Sequence, residues 1–394
     1  MNIVYVVYRE DNTLVFDSQV LEYLKLLSGD YNVTLVSFRN HENMFKKKNV
    51  ENKISGFVKD YITLPTLPPL AKTQLDIDSI RLKLKLEKRF NKDTPLLILC
   101  RGDLATYIAS RAFSKDKNKI ILFDNRGLPI EEFNFREKNT LLYNLTKKVR
   151  KKAILYSKDN CDIYSFVTNE LRKYVLKEYK YIDNKKYFII PTLNSNTSID
   201  NNKLNEIKND INYNSNNFYV IYIGSVAAWQ NSHKIIEVFS TIKQQIANAK
   251  LLILTNGKIT ITETVEKDVM DSIIIKSVKH DLVKYYLEIS NLGLVLRDNN
   301  VVNKVAAPTK IAEYLSNSLP ILYSGKIGVI EDLKKLNESY GLINLENNDW
   351  IDKVKSFYSS EQTSEIKKMY EPYFNMERNQ KSLIDEIKKD FKLS

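Results

Sequence analysis

The chain of 394 residues is long enough for two domains with separate cores, and its 43% hydrophobic and 11% aromatic content is that of a globular protein, not a disordered one. A formal net charge of +12 favours anionic partners such as nucleotide phosphates or lipid head groups; no zinc-finger spacing, aromatic RNA-binding signature or basic-leucine pattern points to nucleic acid. No apolar run reaches the ~18 residues of a membrane span, Cys100 and Cys161 beside apolar runs read as buried thiols, and His41, His233 and His280 stand too far apart for a metal site.

The first eight residues are apolar, but the run is short and leads into Arg9-Glu10-Asp11. It reads as a first strand and not as a secretory signal, and the expected location is the cytoplasm. Apolar runs at 3–8, 33–38, 61–64, 96–100, 120–123, 163–168 and 187–190 predict strands. Most are continuous instead of alternating, as strands covered on both faces should be. Helical patterns fall between them at 16–28, 73–90, 104–113, 131–158 and 170–179. Such alternation predicts a parallel sheet with right-handed crossovers.

Residues 194–217 are polar and rich in Asn and Ser, which predicts a linker. A second series follows, with strands expected at 218–224, 251–255, 273–278, 292–296, 321–323 and 342–345. Helices are expected at 232–246, 282–289, 308–316 and 327–336, and the text is helical after Trp350. The fold class expected is α/β: two doubly wound, Rossmann-like domains facing across a cleft, over residues 1–195 and 196–360, with a helical tail over 361–394. Ligands of such sheets bind outside the carboxyl ends of the strands. Two basic stretches, 81–90 and 147–152, are either solvated helix faces or points of peripheral attachment to anionic lipid at the inner face of the cell membrane.

The most informative stretch is Val305-Ala-Ala-Pro-Thr-Lys-Ile-Ala-Glu-Tyr-Leu-Ser-Asn-Ser-Leu-Pro-Ile-Leu322. It reads as loop, helix, tight turn and buried strand. Pro308 suits the first helical position, Ile311 and Leu315 mark a buried face, and Thr309, Lys310 and Glu313 share another. A helix start offers amide N–H groups and partial positive charge to a diphosphate, Lys310 adds a full charge, and Glu313 is placed to accept from ribose hydroxyls. The same pattern is also that of an amphipathic helix with a solvated Lys–Glu pair.

Other candidates sit at expected strand ends. Gly224 is either a turn glycine or a point of close backbone approach to phosphate, with Ser225 donating to the same group. Arg297 either brackets the diphosphate or forms a surface ion pair with Asp298. Asp103 is either a helix N-cap or, with Arg101, a contact to an acceptor hydroxyl or donor phosphate; Arg126 and Glu131 are similarly placed for acceptor binding.

Three stretches together resemble the GT-B glycosyltransferases, and within them the retaining "group 1", family four-like class that uses nucleotide-sugar donors. They are Phe123-Asp-Asn-Arg-Gly-Leu-Pro-Ile-Glu-Glu132, Tyr222-Ile-Gly-Ser-Val-Ala-Ala-Trp229 and the Pro-Thr-Lys…Glu-Tyr-Leu core beginning at Pro308. The resemblance implies a transferase that moves a sugar from a nucleoside-diphosphate sugar to a hydroxyl acceptor. The setting implied is surface polysaccharide or lipid-linked oligosaccharide synthesis, with no obligatory metal or other cofactor. It implies donor contacts from Gly224, Ser225, Val278, His280, Ala306, Ala307, Pro308, Thr309, Lys310 and Glu313, with Val278 and His280 in the loop that holds the nucleobase. Acceptor contacts would come from Arg101, Asp103, Arg126 and Glu131. Lys310 and Arg297 would stabilise the leaving diphosphate, and Asp103 would be the base if the reaction inverts. The tail would cross back to the first domain.

The chain departs from the class where it often carries a first glutamate, since Val305 stands there; the amides of Ala306 and Ala307 would replace it. The frequent Arg…Lys pair after the first donor-domain strand is also missing. Two alternatives therefore stay open: a catalytically silent homologue acting as scaffold or subunit, and a nucleotide-sugar epimerase of the same fold.

Overall fold

The computed structural model describes all residues except 12–14, 41–46, 134–139, 193–197, 225–232, 258–264, 338, 359–362 and 392–394. The chain divides into two units, Met1–Pro191 with Met376–Ser394, and Thr192–Asn375.

Unit 1 is built on a seven-stranded sheet of order β3-β2-β1-β4-β5-β6-β7. Its strands are β1 (Asn2–Tyr8), β2 (Asn32–Arg39), β3 (Asp60–Pro65), β4 (Leu96–Arg101), β5 (Lys119–Asn125), β6 (Ile163–Phe166) and β7 (Tyr187–Ile189). Every pairing is parallel. Ile3 through Val7 are all buried, which is why the run is continuously apolar: both faces are covered by helices. The final helix, Met376–Phe391, adds Leu383, Ile384 and Ile387 to the core that holds Ile3, Leu24 and Val33, and Asp390 pairs with Lys186.

Unit 2 repeats the plan with six parallel strands of order β10-β9-β8-β11-β12-β13. They are β8 (Phe218–Ile223), β9 (Ala249–Leu254), β10 (Ile273–Lys276), β11 (Leu292–Val295), β12 (Ile321–Tyr323) and β13 (Leu342–Asn344). The two-residue period of β8 sorts its side chains: Tyr219 and Ile221 enter one core cluster, Phe218, Val220 and Tyr222 the other. In both units the strand order turns around the first strand, so the reversal lies at β1/β4 and at β8/β11.

Two expectations need correction. Part of the segment read as a linker is the helix Asn201–Asp210, capped by the Asp200 side chain and anchored by buried Ile207 and Ile211. The Asn-rich composition hid a helical period of Leu204, Ile207 and Ile211. The single helix expected over 131–158 is instead a four-residue helix, Pro129–Glu132, and a separate helix, Leu141–Asn160, capped by Thr140. Among the described residues no helix is long and apolar enough to cross a membrane.

Candidate functional site

The helix Thr309–Ser316 sits beside the β8/β11 reversal, held there mainly by Tyr314. The Tyr314 hydroxyl accepts from the Ile223 N–H at 3.1 Å and lies 3.4 Å from the Ile221 carbonyl, so it ties the helix to the carboxyl end of β8. Its ring lies flat against Gly293 of β11: a Cβ there would stand 2.4 Å from the ring. Glycine in this strand is therefore a space requirement. The helix ends in a Schellman motif. Leu319 N–H reaches the Tyr314 carbonyl, Ser318 N–H reaches the Leu315 carbonyl, and Ser318 takes a φ of 62°.

Pro308 is the N-cap of this helix and not its first residue: its backbone is extended and its carbonyl accepts from Ile311 N–H at 3.1 Å. Thr309 and Lys310 thus head the first turn, where amides point out of the helix. Lys310 is buried, only 7% exposed, and its Nζ lies 4.4 Å from the ring centre of Tyr222, itself fully buried. Burial pushes the Lys310 ammonium well below its usual pKa; the Arg297 charge pushes it further down and Glu313 partly offsets this.

Arg297 follows the end of β11, and its own pKa is lowered by burial. Its side chain lies 3.4 Å from Asn303 Oδ1, while Nε is buried and finds no hydrogen-bond acceptor among the described residues. Its backbone is clamped by Ser324, whose hydroxyl accepts from the Arg297 N–H and donates to the Arg297 carbonyl, both at 3.0 Å. Gly325 completes the clamp: at a φ of 71°, a Cβ would meet the Arg297 carbonyl at 2.6 Å. Glu313, one turn into the helix, is mostly buried and lies 3.4 Å from the half-exposed His280. The structure therefore brings Arg297, Lys310, Glu313 and His280 together.

The remaining donor candidates surround them. Gly224 follows β8, with its N–H on the Leu254 carbonyl at 3.0 Å. Val278 is half-buried against the core. Ala306 differs from expectation: its N–H already bonds the Asn303 carbonyl at 3.1 Å and its carbonyl takes Val329 N–H at 3.0 Å. The Ala307 carbonyl accepts from Thr192 Oγ1 at 2.6 Å. Ser225 and Trp229 lie outside the described residues.

In unit 1 the expected acceptor residues separate. Asp103 is the second residue of the helix Gly102–Phe113, whose N-cap position is held by Arg101, so Asp103 is not the cap. Its Oδ1 accepts from Arg150 at 2.8 Å, its Oδ2 is buried without a partner among the described residues, and burial raises its pKa despite Arg150. Asp103, Arg126, Glu132 and Arg150 line one cavity of about 410 Å³. Arg126, lowered in pKa by burial, lies 3.7 Å from Asp124. Arg101 is instead locked in an internal network with Glu10 at 2.8 Å and Gln19 at 2.6 Å. Glu131 faces a different groove and accepts from Tyr174 at 2.9 Å and Tyr179 at 2.7 Å. Its neighbour Glu132, which nothing in the sequence sets apart from Glu131, lines the cavity. Arg150 was concealed within a basic run whose other members are mostly exposed.

No family model matches the chain, and no curated protein matches it. Solved structures do. A glycosyltransferase from Rickettsia africae is 14% identical with a TM-score of 0.64, over 99% of this chain and 98% of the other. HepE of Anabaena, in complex with UDP and glucose, is 8% identical with a TM-score of 0.65, over 99% and 100%. A structure assigned to the UDP-N-acetylglucosamine 2-epimerases, from Listeria monocytogenes, is 12% identical with a TM-score of 0.55, over 100% and 97%. At such identities the likeness shows the fold, which is the GT-B fold of two parallel-sheet α/β domains.

Proposed function

We propose that this GT-B chain is a glycosyltransferase that moves a sugar from a nucleoside-diphosphate sugar to a hydroxyl acceptor. The observation that carries the reading is a buried lysine in the first turn of one helix, beside a half-buried arginine from the end of β11, with a carboxylate one turn further into the helix. Two cations out of water raise each other's cost, and a diphosphate placed against them removes that cost. Lys310, Arg297 and the first-turn amides then stabilise the negative charge that develops as the nucleoside diphosphate departs. Glu313 accepts from the ribose hydroxyls, and the Val278–His280 loop borders the base. HepE's bound UDP and glucose make UDP and UDP-sugars the first ligands to try.

The acceptor side of the proposal rests on Asp103 and Arg126, which share a cavity in unit 1. In a retaining reaction the acceptor attacks from the face the diphosphate leaves, and the phosphate takes its proton. In an inverting one Asp103, with its pKa raised by burial, is the base. The acceptor proposed is a saccharide or lipid-linked saccharide of a surface polysaccharide, met at the inner face of the cell membrane. Val305, where the resembling class often has glutamate, favours a second reading in which the chain is a silent partner in such an assembly.

The test is a donor panel of UDP-, GDP- and dTDP-sugars with and without saccharide and lipid extracts, read as nucleoside diphosphate release. Turnover of at least one donor is expected, reduced on the order of a hundredfold by Lys310→Ala. No release from any donor by folded protein sinks the transferase reading. A sugar converted while still attached to its nucleotide, without acceptor, identifies an epimerase instead.

A further inference from the structure

Two helices of unit 1, Lys72–Arg89 and Leu141–Asn160, both pack against the helix Gly102–Phe113, through Tyr107 with Asp76 at 2.6 Å and Tyr107 with Tyr156 at 5.0 Å between ring centres. They flank one helix and so belong to one layer on one side of the sheet.

Their outward faces are unusual in complementary ways. On the first helix Leu75, Leu82 and Leu86 fill the core, yet Ile77, Ile80 and Leu84 are 51%, 59% and 54% exposed. The spacing of three and four places these three on one ridge, opposite the buried leucines. Water gains nothing from an aliphatic ridge on a helix that already has a buried one. Basic side chains border it, Arg81 and Lys88 on one side and Lys83 on the other. On the second helix the outward ridge is basic: Lys148, Lys151 and Lys152 are exposed, between exposed Leu141 and Leu155. Lys148, Lys151 and Leu155 also line a groove of about 620 Å³.

Charge settles which partner fits. The first helix carries six basic residues against three acidic, the second six against one. Their surpluses are three and five; Arg89 and Arg150 are paired with Asp60 and Asp103 of neighbouring elements, and the surplus that remains lies on two helices of one layer. A second copy of this chain would bring the same positive surface to the contact and be repelled. An anionic bilayer supplies both complements at once: headgroup phosphates for the lysines and an acyl boundary for the aliphatic ridge, with the long basic stems spanning the two depths.

From this we infer that the outer face of these two helices is a docking surface for an anionic lipid bilayer, with Ile77, Ile80 and Leu84 entering the acyl boundary and Lys148, Lys151 and Lys152 held at the phosphates. The inference deepens the proposal of an acceptor met at the membrane, and rests on that reading for its role but not for its physics.

The experiment is flotation of the full chain with vesicles of phosphatidylcholine alone and of phosphatidylcholine with phosphatidylglycerol, at low and high salt. Wild-type protein is expected to float with the anionic vesicles and only weakly with neutral ones. Ile77→Ser/Ile80→Ser/Leu84→Ser and Lys148→Glu/Lys151→Glu/Lys152→Glu change exposed positions, so both should keep the wild-type circular dichroism and melting temperature. Each should bind anionic vesicles at least about tenfold more weakly. High salt should weaken the residual binding of the serine variant more than it weakens wild type, because only the charges remain. Absence of flotation with anionic vesicles at low salt overturns the inference. So does either folded variant binding like wild type, or a dimer in solution that the serine variant abolishes in protein that never floats. UDP titration of wild type and Lys310→Ala keeps the two claims apart: UDP affinity that ignores Lys310→Ala in protein that floats counts against the donor reading alone, and intact, Lys310-dependent UDP binding in protein that never floats counts against the docking surface alone.

Discussion

Lys310 shows how burial turns an ordinary side chain into a candidate anion receptor. Its pKa is lowered in the free protein, and a bound diphosphate would raise it, so binding takes up a proton between the two values. The sign follows: affinity for a nucleoside diphosphate should fall as pH rises through the free-state pKa of Lys310, because the neutral amine then has to be protonated on binding. Titration across a pH series should show this slope in wild type and a shallower one in Lys310→Met; equal slopes would remove the assignment. Gly293 is the second residue to test. Alanine there would drive a Cβ into the Tyr314 ring at 2.4 Å, so Gly293→Ala should lower stability by about 1–3 kcal/mol in urea unfolding. Lys310 and Glu313 were legible in the sequence because helix spacing places them on one face. The burial of Lys310 was not, since it depends on Tyr222, 88 positions earlier in the chain and brought close only by the sheet. Gly293 does leave a trace, a glycine inside the apolar run Leu292–Leu296, but such a run by itself predicts only a strand.

At the scale of elements, the helix that carries these residues is stopped by a non-glycine in left-handed geometry. Ser318 at a φ of 62° closes the Schellman motif at some cost. Ser318→Gly should therefore stabilise the protein by about 0.5–1 kcal/mol, seen as a higher melting temperature with unchanged nucleotide affinity; a lower melting temperature would mean the serine side chain has a structural partner of its own. Strands were the most legible elements, because continuous apolar runs leave little choice for buried parallel strands. Helices were less so. Asn201–Asp210 was hidden by composition, and Val301–Val305 was too short for its period to be seen, though Asn300 caps it. The acceptor-side motif misled for a related reason. Pro129 starts a helix of only four residues, so the adjacent Glu131 and Glu132 point to different surroundings, one to Tyr174 and Tyr179, the other into the cavity with Asp103.

Over the whole molecule, two sheets with matching strand order follow from two matching series of apolar runs, and right-handed crossovers leave few other ways to join them. That regularity made the fold readable, while the placement of single side chains at the strand ends depended on contacts across the sheet. The central claim is local to unit 2: a nucleoside diphosphate binds at the start of the helix Thr309–Ser316, against Lys310 and Arg297, with its ribose on Glu313. Isothermal titration of UDP into wild type, Lys310→Ala and Glu313→Ala tests it most directly. The account predicts a measurable affinity in wild type that falls on the order of tenfold or more in each variant, as expected for losing one charged hydrogen-bond partner. Equal affinities in three correctly folded proteins, or binding of UDP that ignores both substitutions, would contradict it.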